Sequence, residues 1–435
     1  MHTSHTSLAD SSGAPGVALL GAFERDNFGD VLFLQLTREL LAHDDPKVTA
    51  PFDAQNGFRP LGIDVQQYLR GWAAGPDTVW MVGGEVGGTS MEDAYRMSAS
   101  DERYGAYLER ARRGRAKWIA ATTSRSIYSA AYLPRMSASS LTRHSHFVVN
   151  SAGLSALRGL RGLRRDEAWG AIKEASYVSV RDAASSSALS RYGVDHDLTP
   201  DLVHSLRDTR PGWLIPATES QPYALVQVKE SVLEDHGPER LADTLMSSRE
   251  LRSYEIRLFV AGTARGHDSV RLYERVVERA RRSHPGREIS ILEVNTAIEK
   301  AESIARASLW IGTSLHGWII SSSFEVPRVG LSLEKVARYA RTWNDPMPTA
   351  VPLASLPDAV EIARKRSEVP GRAEEMSALA LAGFRRAETA TQRALPREQG
   401  DYRAAAATGM ARKSRSLAHV GWTNTVDELK KWRHR

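Results

Sequence analysis

An apolar run that breaks at a glycine and continues as a helical pattern occupies Leu309-Trp-Ile-Gly312-Thr-Ser314-Leu315-His316-Gly317-Trp-Ile-Ile-Ser-Ser-Ser323. It predicts a buried strand that ends at Gly312 and a helix that begins near His316. Comparable apolar runs lie at residues 17–21, 79–82, 118–121, 147–149, 177–180, 223–228, 257–261, 288–292 and 328–331. Helical patterns, such as residues 31–41 and 268–283, lie between them. This alternation predicts the α/β class, with parallel sheets covered on both faces.

The length of the chain indicates more than one domain. The chain has 435 residues and a mass of 48.0 kDa, whereas one domain usually takes about 100–200 residues. A segment with three prolines, 207–222, follows the first alternation and is predicted to be a linker. We predict a disordered segment at 1–14, doubly wound Rossmann-like domains at 15–206 and 223–345, and a basic helical extension at 346–435. Helical patterns in the extension lie at 353–366, 373–395 and 404–410.

Composition excludes several kinds of site. Hydrophobic residues make up 42% and charged residues 25% of the chain, as in soluble globular proteins. The chain has no cysteine, which excludes disulfides, thiolate metal sites and cysteine nucleophiles. The first residues lack a basic segment followed by an apolar core, and no apolar run reaches about 18 residues. We therefore expect neither a signal peptide nor a transmembrane helix.

The positive charge is concentrated at the C-terminal end. The net charge is +6, and residues 361–435 contain 16 Lys and Arg against 9 Asp and Glu. The basic excess therefore lies in the tail and not in the two predicted domains. A basic tail can bind anionic lipid headgroups, nucleic acid or a polyanionic substrate, or it can be a solvated helix surface.

Two glycine-containing loops follow predicted strands of the first domain. In Gly21-Ala-Phe-Glu-Arg-Asp-Asn27-Phe-Gly29-Asp30, Asp30 can cap the following helix, and Asn27 and Asp30 can bind sugar hydroxyls. The loop Val82-Gly83-Gly84-Glu85-Val86-Gly87-Gly88 lacks the spacing of a dinucleotide site, and no clear helix follows it. Each loop predicts either a ligand close to the backbone or a turn without a ligand.

Two further strand ends carry groups suited to an anion. Arg181 follows the strand at 177–180, and its guanidinium can bind a carboxylate or phosphate, or it can simply pair with Asp182. His316 lies at a helix start, where free N–H groups and the helix dipole favour an anion. A histidine can act as a general acid or base, and a structural role is the alternative. All four motifs lie beyond the carboxyl ends of strands, where open α/β sheets bind ligands.

Other polar residues allow a functional or a structural interpretation. Lys335 and Arg338 lie one turn apart on a predicted helix, where they can add positive charge to the cleft or form a solvated surface. Arg265 lies in a loop that follows a strand of the second domain and can also hold an anion. His144 and His146 lack a third ligand nearby, so no metal site is predicted.

Taken in order along the chain, these motifs resemble the polysaccharide pyruvyl transferase family. The matching pieces are Asn27-Phe-Gly29-Asp30, Gly83-Gly84, Ser179-Val-Arg181-Asp182, Pro200-Asp201 and Gly312-Thr-Ser314-Leu315-His316-Gly317, with Pro327 and Lys335 behind them. The resemblance extends over residues 17–344. It implies a fold like that of GT-B glycosyltransferases, with the acceptor-side domain at 15–206 and the donor-side domain at 223–345. In folds of this type a C-terminal helix often crosses over, and the helix at 373–395 can do so, but the sequence leaves this open.

The resemblance implies transfer of a pyruvyl group from phosphoenolpyruvate to two sugar hydroxyls as a ketal. It implies donor binding by Arg181, Ser314, Leu315, Gly317, Lys335 and Arg265, acceptor binding by Asn27, Gly29, Asp30, Gly83 and Gly84, and catalysis by His316. Phosphoenolpyruvate carries a carboxylate and a phosphate, so cations and N–H donors suit its site. Protonation of the enol carbon starts the reaction, and neither a metal nor another cofactor is required.

One residue departs from the family pattern. Well-studied members carry Arg two residues before the histidine, and this chain has Ser314 there. Loss of a guanidinium from an anion site is expected to cost about 1.5–3 kcal/mol unless another cation compensates. Arg265, Lys335 and Arg338 are the candidates for this compensation.

Two other functions stay open. A nucleotide-sugar-dependent glycosyltransferase of the same architecture needs an acidic residue such as Glu325 or Glu334 at the ribose, and a non-catalytic relative would bind glycans without turnover. For the transferase we expect a role in exopolysaccharide or cell-wall biosynthesis, a free or lipid-linked sugar acceptor, a cytoplasmic location and no nucleic-acid partner. Peripheral contact of the basic tail with the inner face of the membrane and assembly into a homo-oligomer are further hypotheses.

Overall fold

The computed structural model describes residues 16–41, 43, 45–54, 58–214, 221–366 and 368–393. These residues fall in one compact unit that ends at Arg393. The predicted disorder at 1–14 and the predicted helix at 404–410 lie outside the described residues. Two separate parallel sheets organise the described part of the chain.

The first sheet has eight strands. They are β1 (Val17–Leu20), β2 (Lys47–Ala50), β3 (Gln66–Gln67), β4 (Thr78–Met81), β5 (Gly84–Glu85), β6 (His146–Gly153), β7 (Tyr177–Val180) and β8 (Asp197–Leu198). Their order is β3-β2-β1-β4-β6-β7-β8, β5 pairs with β6, and all pairs are parallel. The order reverses between β1 and β4, and such a reversal opens a crevice at the carboxyl ends of the strands.

The second sheet has five strands in the order β11-β10-β9-β12-β13. They are β9 (Tyr223–Gln227), β10 (Glu255–Leu258), β11 (Ile289–Ile291), β12 (Leu309–Gly312) and β13 (Arg328–Gly330). All pairs are parallel, and this order reverses between β9 and β12. The predicted α/β class with two Rossmann-like units is therefore confirmed.

Helices connect the strands of both sheets. They are α1 (Phe28–Leu40), α2 (Tyr68–Gly71), α3 (Met91–Ser98), α4 (Asp101–Leu108), α5 (Arg112–Thr123), α6 (Gly162–Glu174), α7 (Ala183–Arg191), α8 (Leu206–Thr209), α9 (Glu230–His236), α10 (Pro238–Ser247), α11 (Val270–Ser283), α12 (Ala297–Ala305), α13 (Leu315–Ser323), α14 (Glu334–Thr342), α15 (Leu356–Lys365) and α16 (Arg372–Thr391). Within the described ranges, none is both long and apolar enough to cross a membrane.

Two local predictions were wrong. Residues 118–121 lie in α5 and not in a strand, because β4 pairs directly with β6 and leaves no place between them. Only Ile119 and Thr123 of this helix are buried, and four apolar residues do not distinguish a strand from a helix. A helix also follows the glycine loop at 82–88. This helix is α3, and a capping box formed by Ser90 and Asp93 closes its N-terminal end.

The helix α16 packs against the first sheet although it follows the second in sequence. The ring centroid of Phe384 lies 5.0 Å from that of Trp80 in β4, and Arg386 Nε donates to Asp197 Oδ2 at 2.7 Å. The C-terminal helix therefore crosses to the first sheet, a point that the sequence had left open. The helix therefore connects the part of the chain that follows the second sheet to the first sheet.

Candidate functional site

The loops at the carboxyl ends of the two sheets are joined by hydrogen bonds. Phe28 N–H, at the start of α1, donates to the carbonyl of Ala261 after β10 at 2.8 Å. Thr263 donates to Asp26 Oδ2 twice, from its backbone N–H at 2.9 Å and from its hydroxyl at 2.7 Å. A Cβ at Gly262 would lie 2.4 Å from the carbonyl oxygen of Asp26, so this close approach needs a glycine. The glycine-containing loop of the first domain therefore faces the second domain directly.

His316 of the second domain lies against Gly29 at the start of α1. An ideal Cβ built on Gly29 would lie 1.8 Å from His316 Nδ1, so the imidazole occupies the space that any other side chain at position 29 would need. The rings of Phe28 and Phe33 approach the imidazole edge-on, with centroids 6.1 and 5.1 Å away. The predicted acceptor loop thus forms one wall around the predicted catalytic histidine.

The imidazole of His316 has an unused hydrogen-bonding atom. Its Nε2 is buried and has no hydrogen-bond partner in the described part of the chain. Burial, followed by the charges of Arg181 and Lys335, lowers the pKa of His316 well below its ordinary value. The ring is therefore neutral at neutral pH and can accept a proton once an anion offsets the neighbouring cations.

Arg181 lies at the end of β7 and is almost fully buried. Its guanidinium donates to Asp201 Oδ2 at 2.9 Å and to Glu85 Oε2 at 3.2 Å, and Trp343 Nε1 donates to its carbonyl at 3.0 Å. The expected pairing partner, Asp182, caps α7 instead. Arg181 Nε is buried without a partner among the described residues. Two carboxylates therefore fix the guanidinium without using all of its donors.

The predicted acceptor residues form a hydrogen-bonded corner at the start of α1. Asn27 caps the helix and donates from Nδ2 to Asp30 Oδ2 at 2.7 Å. Arg25 Nη2 lies 3.6 Å from the same carboxylate oxygen. Burial raises the pKa of Asp30, and Arg25 opposes that rise. Gly84, with φ of 93°, approaches this carboxylate so closely that a Cβ there would lie 3.4 Å from Asp30 Oδ1.

A buried carboxyl beside this corner escaped the sequence analysis. Tyr132 donates its hydroxyl proton to Glu24 Oε1 at 2.5 Å, and Glu24 Oε2 is buried without a partner in the described residues. Burial raises the pKa of Glu24 to about 7. The tyrosine that marks this contact is 108 positions away, so no local pattern could reveal it.

The three other donor residues of the 312–317 motif have structural contacts. Ser314 caps α13 and accepts from Gly317 N–H at 3.3 Å. Leu315 is buried. A Cβ at Gly317 would lie 1.9 Å from a ring carbon of Trp310. These residues therefore place the first turn of α13, and with it His316, against the sheet.

The candidate compensating cations differ in their placement. Arg265 donates to Asp101 Oδ1 at 2.6 Å and lies over the Tyr104 ring, so it is directed to α4. Arg338 donates to Ser155 Oγ at 3.0 Å. Lys335 lies beside the other site residues and has no ion-pair or hydrogen-bond partner for its ammonium in the described ranges.

The residue Lys335 is exposed as a whole, whereas its ammonium group lies among charged protein groups. Desolvation, followed by the positive charges of Arg181 and Lys229, lowers its pKa to about 8. Lys229 is a second cation that the sequence analysis missed. It lies two residues after the end of β9, and a rule that inspects the residues just after every strand would have found it.

Asp268 lies just before Ser269, the residue that caps α11. Its carboxylate is buried and accepts hydrogen bonds from Gln227 Nε2 and from Ala261 N–H, each at 2.7 Å. Burial raises its pKa to about 7. The residue therefore shapes the loop that contacts the first domain.

The histidine pair outside the cleft has an ordinary contact. His146 Nδ1 lies 2.9 Å from Ser176 Oγ. Across the ranges that the structure describes, no three His, Cys, Asp or Glu side chains are arranged to hold a metal ion.

Comparison with known families identifies part of this arrangement. A family model described as polysaccharide pyruvyl transferase matches residues 148–334. This segment of the chain is therefore similar to the polysaccharide pyruvyl transferase family. The resemblance deduced from the motifs is thereby confirmed, and a transferase that modifies polysaccharides is supported. Arg181 and the segment from Ser314 to Gly317 lie inside the match, whereas Asn27, Asp30 and Lys335 lie outside it.

Solved structures support the fold alone. UDP-N-acetylglucosamine 2-epimerase from Rickettsia bellii is 9% identical with a TM-score of 0.50, over 86% of this chain and 95% of that chain. UDP-GlcNAc 2-epimerase from Neisseria meningitidis is 10% identical with a TM-score of 0.48, over 86% of this chain and 99% of that chain. No curated protein sequence matches the chain. The Rickettsia bellii structure and the two parallel sheets of this chain confirm the predicted GT-B-like architecture at the level of the fold.

Proposed function

We propose that the protein transfers a pyruvyl group from phosphoenolpyruvate to two hydroxyls of a sugar as a ketal, in exopolysaccharide or cell-wall biosynthesis. The observation that carries the proposal is the unpartnered Nε2 of His316, buried beside the cations Arg181 and Lys335. The family match over residues 148–334 supports it.

The charges of the site suit this donor. Phosphoenolpyruvate brings a carboxylate and a phosphate, which are the anions that arginine and lysine bind. A bound anion also offsets the positive charges that lower the pKa of His316, so the imidazole becomes easier to protonate. His316 can then protonate the enol carbon or relay a proton to the leaving phosphate.

The acceptor would lie against the first domain. Asn27 and Asp30 offer an amide and a carboxylate to sugar hydroxyls, and Gly84 keeps a side chain away from Asp30. A Cβ at Gly83 would instead lie 3.0 Å from the Phe33 ring. The raised pKa of Asp30 makes its carboxylate a better proton acceptor than an ordinary aspartate. In the balanced reaction the two hydroxyls lose two protons, the enol carbon gains one, and the released phosphate takes the other. No water or metal enters this balance.

The alternatives have less support from the described residues. Of the two glutamates proposed for a nucleotide-sugar enzyme, Glu334 pairs with Arg341. Glu325 follows the C-terminal end of α13, opposite to the end that carries His316, and lies 3.9 Å from Arg207. Membrane contact through the basic tail stays a hypothesis, because residues 394–435 lie outside the described ranges.

Calorimetric titration of phosphoenolpyruvate tests the proposal. We expect saturable binding by the wild type and weaker binding by Arg181→Lys and His316→Ala, with thermal unfolding as the control for folding. Phosphate release should then require both phosphoenolpyruvate and a glycan acceptor. Binding of a UDP-sugar without binding of phosphoenolpyruvate would favour the glycosyltransferase, and glycan binding without turnover would favour the non-catalytic relative.

A further inference from the structure

The order reversal of the second sheet places two residues side by side. In β9 and β12, Gln227 pairs with Gly312, so Lys229 and Ser314 leave the sheet next to each other, each two residues later. Lys229 N–H donates to Thr313 Oγ1 at 3.1 Å and fixes this arrangement. The backbone of Lys229 therefore lies beside Ser314, the position at which well-studied family members carry arginine.

The positive charge of Lys229 acts on two neighbouring residues of the second domain. It contributes to lowering the pKa of both Lys335 and His267, although burial is the larger cause for each. Glu230 N–H, next in sequence, donates to the carbonyl of His267 at 2.8 Å, so the loop after β9 contacts the loop after β10. Two ammonium groups from different strand ends thus approach one region.

The nearby carboxylates are already engaged. Glu85 accepts from Arg181 at 3.2 Å, and Asp268 accepts from Gln227 and from a backbone N–H. In the described part of the chain, neither Lys229 nor Lys335 has an ion-pair partner. Like charges held close together raise each other's free energy unless an anion lies near both of them. The arrangement is therefore suited to a group that brings negative charge.

We propose that Lys229 and Lys335 together bind the phosphate group of the donor, with Lys229 supplying the positive charge that Ser314 cannot supply. This inference rests on the proposed function for the identity of the donor. A phosphate accepts hydrogen bonds from several directions and suits two point-like ammonium groups, whereas Arg181 remains for the planar carboxylate.

The test compares Lys229→Met with Lys335→Met, their double variant, and Lys173→Met as a matched control on the exposed surface of α6. Phosphoenolpyruvate, inorganic phosphate, pyruvate and UDP are titrated into each folded protein. We expect Lys229→Met to weaken binding of phosphoenolpyruvate and phosphate about tenfold or more, the range for charge-assisted hydrogen bonds. Pyruvate should bind equally well, Lys229→Arg should restore affinity, and the control should behave as the wild type.

A pH series gives a second readout. Phosphate affinity of the wild type should fall as the pH rises through about 8, where Lys335 loses its proton. Removal of Lys229 removes a repelling charge, so this midpoint should move to higher pH in Lys229→Met. The charges of Arg181, Lys229, Glu85 and Asp268 shift the pKa of Lys335. The charge of Lys335 in turn lowers the pKa values of Asp30, His316 and His267.

The outcomes separate this inference from the proposed function. Wild-type affinity for phosphoenolpyruvate in Lys229→Met would overturn the inference and leave the function standing. Binding of UDP but not of phosphoenolpyruvate, with loss in Lys229→Met, would retain the phosphate site and overturn the function. Failure of the wild type to bind any of the phosphate-bearing probes would overturn both.

Discussion

The sharpest prediction concerns Gly29→Ala, a change of one methyl group. The added Cβ would lie 1.8 Å from His316 Nδ1, whereas ordinary contact begins near 3.4 Å. The imidazole must therefore move by about 1.6 Å or the two domains must separate by a similar distance. A misplacement of about 1 Å at a reacting group can lower a rate about 100-fold. We expect a loss of at least that size in phosphate release from phosphoenolpyruvate with a glycan acceptor.

This variant should lose no more than about 3 kcal/mol of stability and should remain folded. Gly29 lies in the first turn of α1 with a helical backbone, where alanine is favoured by up to about 1 kcal/mol and the clash costs about 1–3 kcal/mol. Gly105→Ala is the matched control, because no atom lies within 4 Å of a Cβ at that position. Wild-type turnover by a folded Gly29→Ala protein would refute the reasoning that His316 acts from its position against α1.

Three further changes test other contacts. Gly317→Ala should lower the free energy of unfolding in denaturant by about 1–3 kcal/mol, because its Cβ would overlap the Trp310 ring; unchanged stability would contradict that packing. Glu24 has a pKa raised to about 7. The folded protein therefore favours the protonated carboxyl, and this contribution to stability is complete below about pH 4.5 and is lost as the pH rises through 7. Glu24→Gln keeps the acceptor for Tyr132 and should reduce the fall in unfolding free energy with pH by on the order of 3 kcal/mol. Thermal unfolding at pH 5 and pH 8 can measure this fall. A fall as large as in the wild type would assign it to another group. Tyr339→Phe removes a buried hydroxyl that bonds two polar groups and should cost about 1–3 kcal/mol, whereas equal unfolding midpoints would show that neither bond is needed.

The sequence pattern was sufficient for the long buried strands and insufficient for the short ones. The strands β1 and β12 are continuous apolar runs, and β4 is apolar after Thr78, as a sheet covered on both faces requires. The strands β3, β5 and β8 have two residues each, too few to show any period. The run at 118–121 has the composition of a strand, and only the direct pairing of β4 with β6 decides against one.

The candidate site was predictable where a residue type alone limits its role at a strand end. His316, Arg181 and Asp30 all follow strands and all lie in the cleft. The direction of Arg265 could not be predicted, because it depends on Asp101 of a helix 164 positions away. Gly317 was predicted to bind the donor, yet the packing of the Trp310 ring against it is a sufficient reason for a glycine at this position.

The neutral state of His316 agrees with the proton balance of the proposed reaction. That reaction moves protons from two hydroxyls to an enol carbon and to phosphate, so it needs a group that both accepts and donates a proton. A permanently charged imidazolium would add a further positive charge beside Arg181 and Lys335 in the free protein, which burial opposes. If the donor brings the compensating negative charge, the proton enters His316 only when phosphoenolpyruvate is bound. Protonation would then be coupled to donor binding, and His316 would not act as an acid in the empty site.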